Sequence, residues 1–178
     1  MIRQTKKRLG RFRREEDGQI AIEFVILVPL IFTIFLSSIE LGIYSMRQMW
    51  MERGLEIAVR TVRLSTGNAP QHDELKTMVC EQAPFLPDCE NRLKLEMTPI
   101  TPTAFAGLPP AADCVDTNEE VNPPRTFVQG GNHDLMLIRA CLVFDPVIPT
   151  SGLGFEWDQK EGLPRMVAMS AFVQEPNE

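Results

Sequence analysis

The sequence predicts an α+β fold in which a long N-terminal transmembrane helix continues into a small, disulfide-restrained domain with an antiparallel sheet. Three observations predict it. Residues 20–39 form an apolar run of twenty residues, enough for a helix to cross the ~30 Å hydrocarbon core of a bilayer. Segments of strand-like patterning follow later in the chain, and its four cysteines are an even number, as disulfide pairing requires.

Charge is strongly segregated along the 178 residues. Residues 1–18 carry seven basic and three acidic side chains, whereas residues 68–178 carry seven basic and seventeen acidic ones. A basic segment directly before an apolar span marks the cytoplasmic side of a membrane. Nucleic-acid binding is not expected, because no aromatic or helix-turn-helix pattern accompanies the basic residues. No Ala-x-Ala site follows the run, so a cleaved secretory signal is not expected either.

Four regions follow from these patterns. We expect a basic cytoplasmic leader at 1–18, a transmembrane helix at 19–40, a periplasmic helix extension at 41–67 and a periplasmic α+β domain at 68–178. In the extension, apolar residues recur at helical spacing, so that one side can lie on the domain; they are Met51, Leu55, Ala58 and Val62.

Within the domain, the patterning predicts one helix and three strands. The helix covers residues 71–82, and the first strand, 92–98, alternates polar and apolar residues as a strand with one solvent-exposed face does. The second strand covers 135–144. The third, 165–174, is apolar at nearly every position and is expected to be central. Two segments rich in proline or glycine, 99–134 and 149–164, are expected to be loops.

The four cysteines favour disulfides over a zinc site, because no Cys-x-x-Cys pair is present. Disulfides suit an oxidising compartment such as the periplasm. Three pairings are possible. The two local bonds Cys80–Cys89 and Cys114–Cys141 are favoured, and loop-closure entropy would make them worth roughly 3 and 3.5 kcal/mol.

No constellation of catalytic residues is found, so the protein is not expected to be an enzyme. His72 and His133 are solitary and are interpreted as surface loop residues. The acidic stretch from Asp113 to Glu120 lacks the regular ligand alternation of a calcium loop and is expected to be solvated. No metal and no cofactor are predicted.

Two residues of the apolar run need a separate explanation. Pro29 removes a backbone donor and is expected to kink or loosen the helix. Glu23 is a carboxylate in a membrane-length segment, where an ionisable group is functional by default. It can snorkel to the cytoplasmic interface. Alternatively, cleavage after Gly18 creates a charged amine at Gln19, with which Glu23 of a neighbouring helix could pair.

At these residues the chain resembles a known family. Gly18, four further residues and then Glu23-Phe24 match the processing pattern of type IV prepilins. The stretch from Asp17 to Leu30, with Pro29 and the later Ile39-Glu40-Leu41-Gly42, is similar to the TadE-like minor pilins of tight-adherence (Flp-type) pilus systems. The resemblance is good over residues 15–66.

The resemblance implies a pilin-like precursor in the bacterial inner membrane, with its N-terminus cytoplasmic and its C-terminal domain periplasmic. A prepilin peptidase would cut between Gly18 and Gln19. The mature subunit would then meet other minor pilins, the major pilin and the assembly platform, and act in pilus assembly or initiation and in surface adhesion. The alternative is an uncleaved single-pass membrane protein whose periplasmic domain binds a partner or ligand.

Overall fold

The computed structural model describes residues 19–65, 70–101, 111–116, 126–148, 159–160 and 163–176. By its internal contacts the chain divides into two compact units, residues 1–39 and residues 40–178. The described part contains three helices and four strands: α1 (Gln19–Leu64), α2 (His72–Gln82), α3 (Cys89–Arg92), β1 (Leu93–Pro99), β2 (Leu135–Val143), β3 (Gln159–Lys160) and β4 (Leu163–Val173).

The first unit consists, where it is described, of the N-terminal part of α1. Its apolar side chains have little protein cover, and Phe24, Phe32 and Phe35 are each more than half exposed. In the described part of the chain, one helix, Ile20–Leu64, is long and apolar enough to cross a membrane. The most apolar stretch of this helix is not buried within the protein, which is consistent with a membrane anchor.

The second unit is built on an antiparallel sheet with strand order β1-β2-β4-β3. β2 pairs along its length with β1 on one side and β4 on the other. β4 pairs with β2 but meets β3 only at Leu163 and Pro164. The third long strand, which was expected to be central, lies between β2 and β3 in the strand order, but along most of its length it pairs with β2 alone. β4 is apolar on both faces, but Met169 and Val173 on one of them remain exposed.

One face of the sheet carries the main hydrophobic core. The helices contribute the predicted stripe of α1 together with Leu75 and Val79 of α2, and all of these side chains are buried. Alternate residues of the strands face them, as the period of two requires. The strand residues of this core include Leu93, Leu95, Met97, Met136, Ile138, Ala140, Leu142, Met166, Ala168 and Phe172.

The opposite face of β1 was predicted to be wet, and it is buried. Lys94 pairs with Asp113 at 3.2 Å, and Arg139 of β2 pairs with Glu96 at 2.7 Å. Asp113 is thus a buried partner of a lysine and not part of a solvated acidic loop, while Glu119 and Glu120 lie outside the described residues. The charges could be buried because each one meets an opposite charge.

Both favoured disulfides are present. Cys80 of α2 is bonded to Cys89 at the start of α3, and Cys114 is bonded to Cys141 of β2. The second bond ties the segment 111–116 to the sheet face that carries the buried ion pairs. Helix α3 and strand β3 are too short to give a periodic sequence signal, and neither was predicted.

Candidate functional site

The candidate processing residues lie at the start of α1. Gly18 is outside the described residues, and Gln19 is the first residue of the helix. Glu23 and Phe24 follow within the first two turns, and both are exposed. In the part of the chain that the structure describes, no hydrogen bond or ion pair reaches the Glu23 carboxylate. Its position leaves it accessible to a group outside this chain.

Pro29 lies inside a helix that the structure assigns without interruption from Gln19 to Leu64. The Thr33 hydroxyl donates to the Pro29 carbonyl at 2.8 Å, and the Ser38 hydroxyl donates to the Ile34 carbonyl at the same distance. Such side-chain bonds to the preceding turn satisfy polar groups within the helix itself, as an apolar environment requires. The expected kink at Pro29 stays a prediction.

Glu40, part of the Ile39-Glu40-Leu41-Gly42 stretch, has a structural role that the sequence did not predict. Its side chain is 1% exposed, and its two oxygens accept the backbone N–H groups of Val147 at 2.9 Å and Ile148 at 2.8 Å. These bonds tie the segment after β2 to the first turn of α1 in the second unit. The available signal was a carboxylate directly after a long apolar run, a position that demands partners.

Next to this contact, Arg47 and Tyr44 of α1 lie against Phe144. The Arg47 guanidinium is 5.5 Å from the Phe144 ring centre and donates to the Asp145 carbonyl at 3.4 Å. Burial lowers the pKa of Arg47, while Glu40 and Asp145 oppose that shift. Burial raises the pKa of the Tyr44 phenol, and the Glu52 carboxylate raises it further. These polar and aromatic contacts hold the part of α1 around Tyr44 and Arg47 against the end of β2.

His72 is not the surface loop residue that was expected. It begins α2, and its ring Nε2 accepts the Leu95 backbone N–H of β1 at 3.4 Å. Its Nδ1 lies 2.7 Å from an Asp73 carboxylate oxygen, and this hydrogen bond lowers the pKa of Asp73. His72 is therefore a structural group that covers part of the outer edge of β1. His133 is exposed in a turn, with a φ of 66°.

The comparisons with known proteins bear on the N-terminal segment. Residues 18–60 match the family model described as TadE-like protein. This segment is TadE-like. The TadE-like segment contains the candidate processing residues, Pro29 and Glu40, and it ends before α2. No curated protein and no solved structure matches the chain.

The TadE-like match points to a role in a tight-adherence pilus and to association with the pilus machinery in general. The four cysteines form the two structural bonds of the domain. Among the described residues, no group of three or more histidine, cysteine, aspartate or glutamate side chains is placed to hold a metal ion.

Proposed function

We propose that the protein is a minor pilin or pseudopilin of a tight-adherence pilus, processed after Gly18 by a prepilin peptidase. It is anchored in the inner membrane by α1, with the leader in the cytoplasm and the disulfide-bonded domain in the periplasm. It acts in pilus assembly or initiation and in surface adhesion, and it is not an enzyme. The observation that carries this proposal is the TadE-like match at residues 18–60, in which Gly18 directly precedes an exposed apolar helix.

The position of Glu23 supports a role in assembly. Cleavage after Gly18 leaves an amine at Gln19 that is largely charged at neutral pH. In a bundle of such helices, the Glu23 carboxylate of one subunit pairs with the amine of the next. The pair forms because burying the two charges together costs far less than burying each alone. The same pairing cannot form before the cut, when residue 19 carries a peptide bond instead of an amine.

The processing step predicts a defined product. When the full chain is produced together with an active prepilin peptidase, intact-mass spectrometry of the membrane-extracted protein should find an N-terminus at Gln19. The Gly18→Leu variant should stay uncleaved, because a bulky side chain replaces the glycine of the processing pattern. An intact Met1 on the unaltered chain in the presence of the peptidase would contradict the proposal and favour the uncleaved membrane protein.

The Glu23→Ala variant separates processing from assembly. We expect it to be cleaved normally and to lose piliation or co-purification with the other pilus subunits. The Glu81→Ala variant removes an exposed carboxylate from α2, away from the apolar segment, and serves as the matched control. If Glu23→Ala assembles as well as the control, the Glu23 carboxylate only snorkels to the interface and has no part in packing.

A further inference from the structure

The two outer edges of the sheet are covered differently. Outward backbone groups of Leu95 and Met97 in β1 have partners: the Leu95 N–H donates to His72, and the Met97 N–H donates to the Thr126 carbonyl at 3.0 Å. The Met97 carbonyl in turn accepts the Val128 N–H at 3.0 Å. Since exposed edge strands pair readily with other chains, this cover blocks pairing at the β1 edge.

The direction of the backbone groups of β4 follows from its bonds. In an antiparallel ladder, alternate residues direct their N–H and C=O groups to opposite sides of the strand. The Phe144 N–H donates to the Pro164 carbonyl at 3.0 Å, and the Gln174 N–H donates to the Asp134 carbonyl at 2.9 Å. The backbone N–H and C=O groups of even-numbered residues of β4 therefore point toward β2. Those of odd-numbered residues point outward, away from β2.

Helix α1 covers this outward row at two places only. Near one end, the Gln48 side chain donates to the Val167 carbonyl at 3.1 Å. Beyond the other end, the Glu175 N–H donates to the Arg63 carbonyl at 3.2 Å, and the two side chains form a 2.9 Å ion pair. The outward backbone groups of Met169, Ala171 and Val173 lie between these contacts. Within the described ranges, no hydrogen bond from another element reaches them.

We call this open stretch, from Met169 to Val173 with the flank of α1 beside it, the β4 slot. A groove of about 440 Å³ runs between α1 and β4 there, and a second of about 270 Å³ adjoins it. Glu56 and Ser170 line both grooves. The buried side chains Leu55 and Phe172 contribute to the lining, so the slot has an apolar base.

The two faces of the slot differ in chemistry. On the helix side, the charges are ordered: Glu52 and Glu56 lie at the end near Met169, and Arg60 and Arg63 lie at the end near Phe172. On the opposite side, the exposed side chains are apolar, with Met169 67% and Val173 50% exposed. A strand added to this edge would therefore meet ordered charges on one face and an apolar surface on the other.

We propose that the β4 slot binds an extended strand of another polypeptide by β-augmentation. The strand hydrogen-bonds to Met169, Ala171 and Val173 and presents apolar side chains toward Met169 and Val173. On its helix-facing side it carries a basic residue near Glu56 and an acidic residue near Arg60. The proposal goes beyond the pilus role and does not depend on cleavage after Gly18.

A second copy of this chain fits the slot less well than a separate strand. The β1 edge of a second copy is already covered, so a copy could offer only its own β4. Adjacent strands lie about 4.8 Å apart, whereas two packed helices need 8–10 Å between their axes. Since α1 reaches the outward groups of β4 in each copy, two such helices would crowd one another above the joined edges.

The test uses the full chain in detergent and fluorescent synthetic peptides in which valine alternates with charged residues. Two peptides of identical composition carry lysine and glutamate in opposite orders, and a third is N-methylated at the amides that would face β4. We expect one charge order to bind at least tenfold more tightly than the other, and N-methylation to weaken binding at least tenfold. The exchanged variant Glu56→Arg with Arg60→Glu should reverse the preferred order.

Ala171→Pro tests the edge itself. It removes an outward N–H that the fold does not use, as is tolerated on edge strands, and it should weaken peptide binding at least tenfold. The matched Ala171→Thr variant keeps the N–H and should bind the peptide at least fivefold more tightly than Ala171→Pro does. Unchanged binding of Ala171→Pro, or equal affinity for the N-methylated peptide, would overturn the proposal.

Hydrogen exchange and sedimentation identify other occupants. If the amides of Met169, Ala171 and Val173 are already protected in the monomeric chain without peptide, another part of the same chain fills the slot. If the chain forms a concentration-dependent dimer that Ala171→Pro abolishes, a second copy fills it. Either result overturns the assignment to a separate polypeptide. We expect instead that these amides exchange rapidly in the monomer and become protected when the peptide is added.

Discussion

At the residue scale, Glu40 shows why a carboxylate can be buried at the end of an apolar segment. Both of its oxygens accept backbone N–H groups, from Val147 and Ile148, and these bonds stabilise the charge. A carboxylate that accepts backbone N–H bonds makes stronger, charge-assisted bonds than a neutral amide. Glu40 therefore holds the segment after β2 against α1 within the second unit.

Replacing Glu40 with glutamine should destabilise the domain. The amide NH₂ has to face one of the two backbone donors, which leaves a partly buried N–H without an acceptor. We expect a loss of about 1–3 kcal/mol in the free energy of unfolding, measured by denaturant titration of the full chain in detergent. Glu56→Gln, at an exposed position of the same helix, should stay within about 0.5 kcal/mol of the unaltered protein. Equal effects of the two variants would show that the Glu40 bonds do not stabilise the domain.

Two charged residues of β1 are buried although the alternating sequence pattern predicts that they are exposed. Lys94 and Glu96 occupy the positions that an alternating strand gives to its wet face. They are buried because Asp113 and Arg139, each distant in sequence, supply opposite charges at 3.2 and 2.7 Å. Hydrophobic periodicity carries no information on such partners, so the sequence predicted the strand and missed the burial.

At the element scale, the approach of α2 to α1 depends on Gly54. A Cβ atom at Gly54 would lie 2.7 Å from the Val79 carbonyl oxygen and 3.2 Å from a Val79 methyl carbon. The first distance is shorter than real Cβ contacts, and its partner is backbone, which cannot rotate away. Gly54 therefore lets the two helices come close together. Leu75 and Val79 of α2 share the core with the α1 stripe.

Gly54→Ala should consequently destabilise the protein, although replacing glycine with alanine inside a helix usually stabilises it. In an unobstructed helix interior, alanine is about 1 kcal/mol more favourable than glycine. At Gly54 the clash should outweigh that gain and lower the midpoint of thermal unfolding. Gly42→Ala is the matched control, because nothing lies within 4 Å of its added Cβ, and it should be neutral or stabilising. A Gly54→Ala variant as stable as Gly42→Ala would show that α2 can shift without cost.

At the scale of the whole molecule, two disulfides replace part of the core that a small domain lacks. Cys80–Cys89 joins residues 9 apart in sequence and closes the turn between α2 and α3. Cys114–Cys141 joins residues 27 apart and fastens the segment 111–116 over the face with Lys94 and Glu96. The longer loop gains more from closure, and its bond also keeps water from the buried ion pairs.

Removing the two bonds should therefore have unequal effects. The double variant Cys114→Ser/Cys141→Ser should lose at least about 3.5 kcal/mol by loop closure alone, and the exposure of the ion pairs adds to that loss. Cys80→Ser/Cys89→Ser should lose about 3 kcal/mol. Denaturant unfolding of the oxidised proteins measures both. A larger loss from the Cys80 and Cys89 pair would contradict the role assigned to the segment 111–116.

The elements that have a local sequence signal could be predicted before the fold was known. Each of these elements follows from a pattern within one segment. They are the apolar run, the spacing of Gly18 and Glu23, the helix at 71–82 and the three long strands. The two disulfides were also favoured from sequence, because both bonds are local pairings between consecutive cysteines.

Strand order, the burial of charged side chains and the cover of each sheet edge could not be predicted, because they depend on contacts between segments distant in sequence. β2 lies in the middle because β1 and β4 both pair with it along its length, whereas β4 meets β3 at two residues. Glu40 and His72 acquire their roles in the same way, by meeting backbone N–H groups of Val147, Ile148 and Leu95. Among the described residues, the edge of β4 from Met169 to Val173 is open because α1 bonds to it near its two ends, and no single segment encodes this.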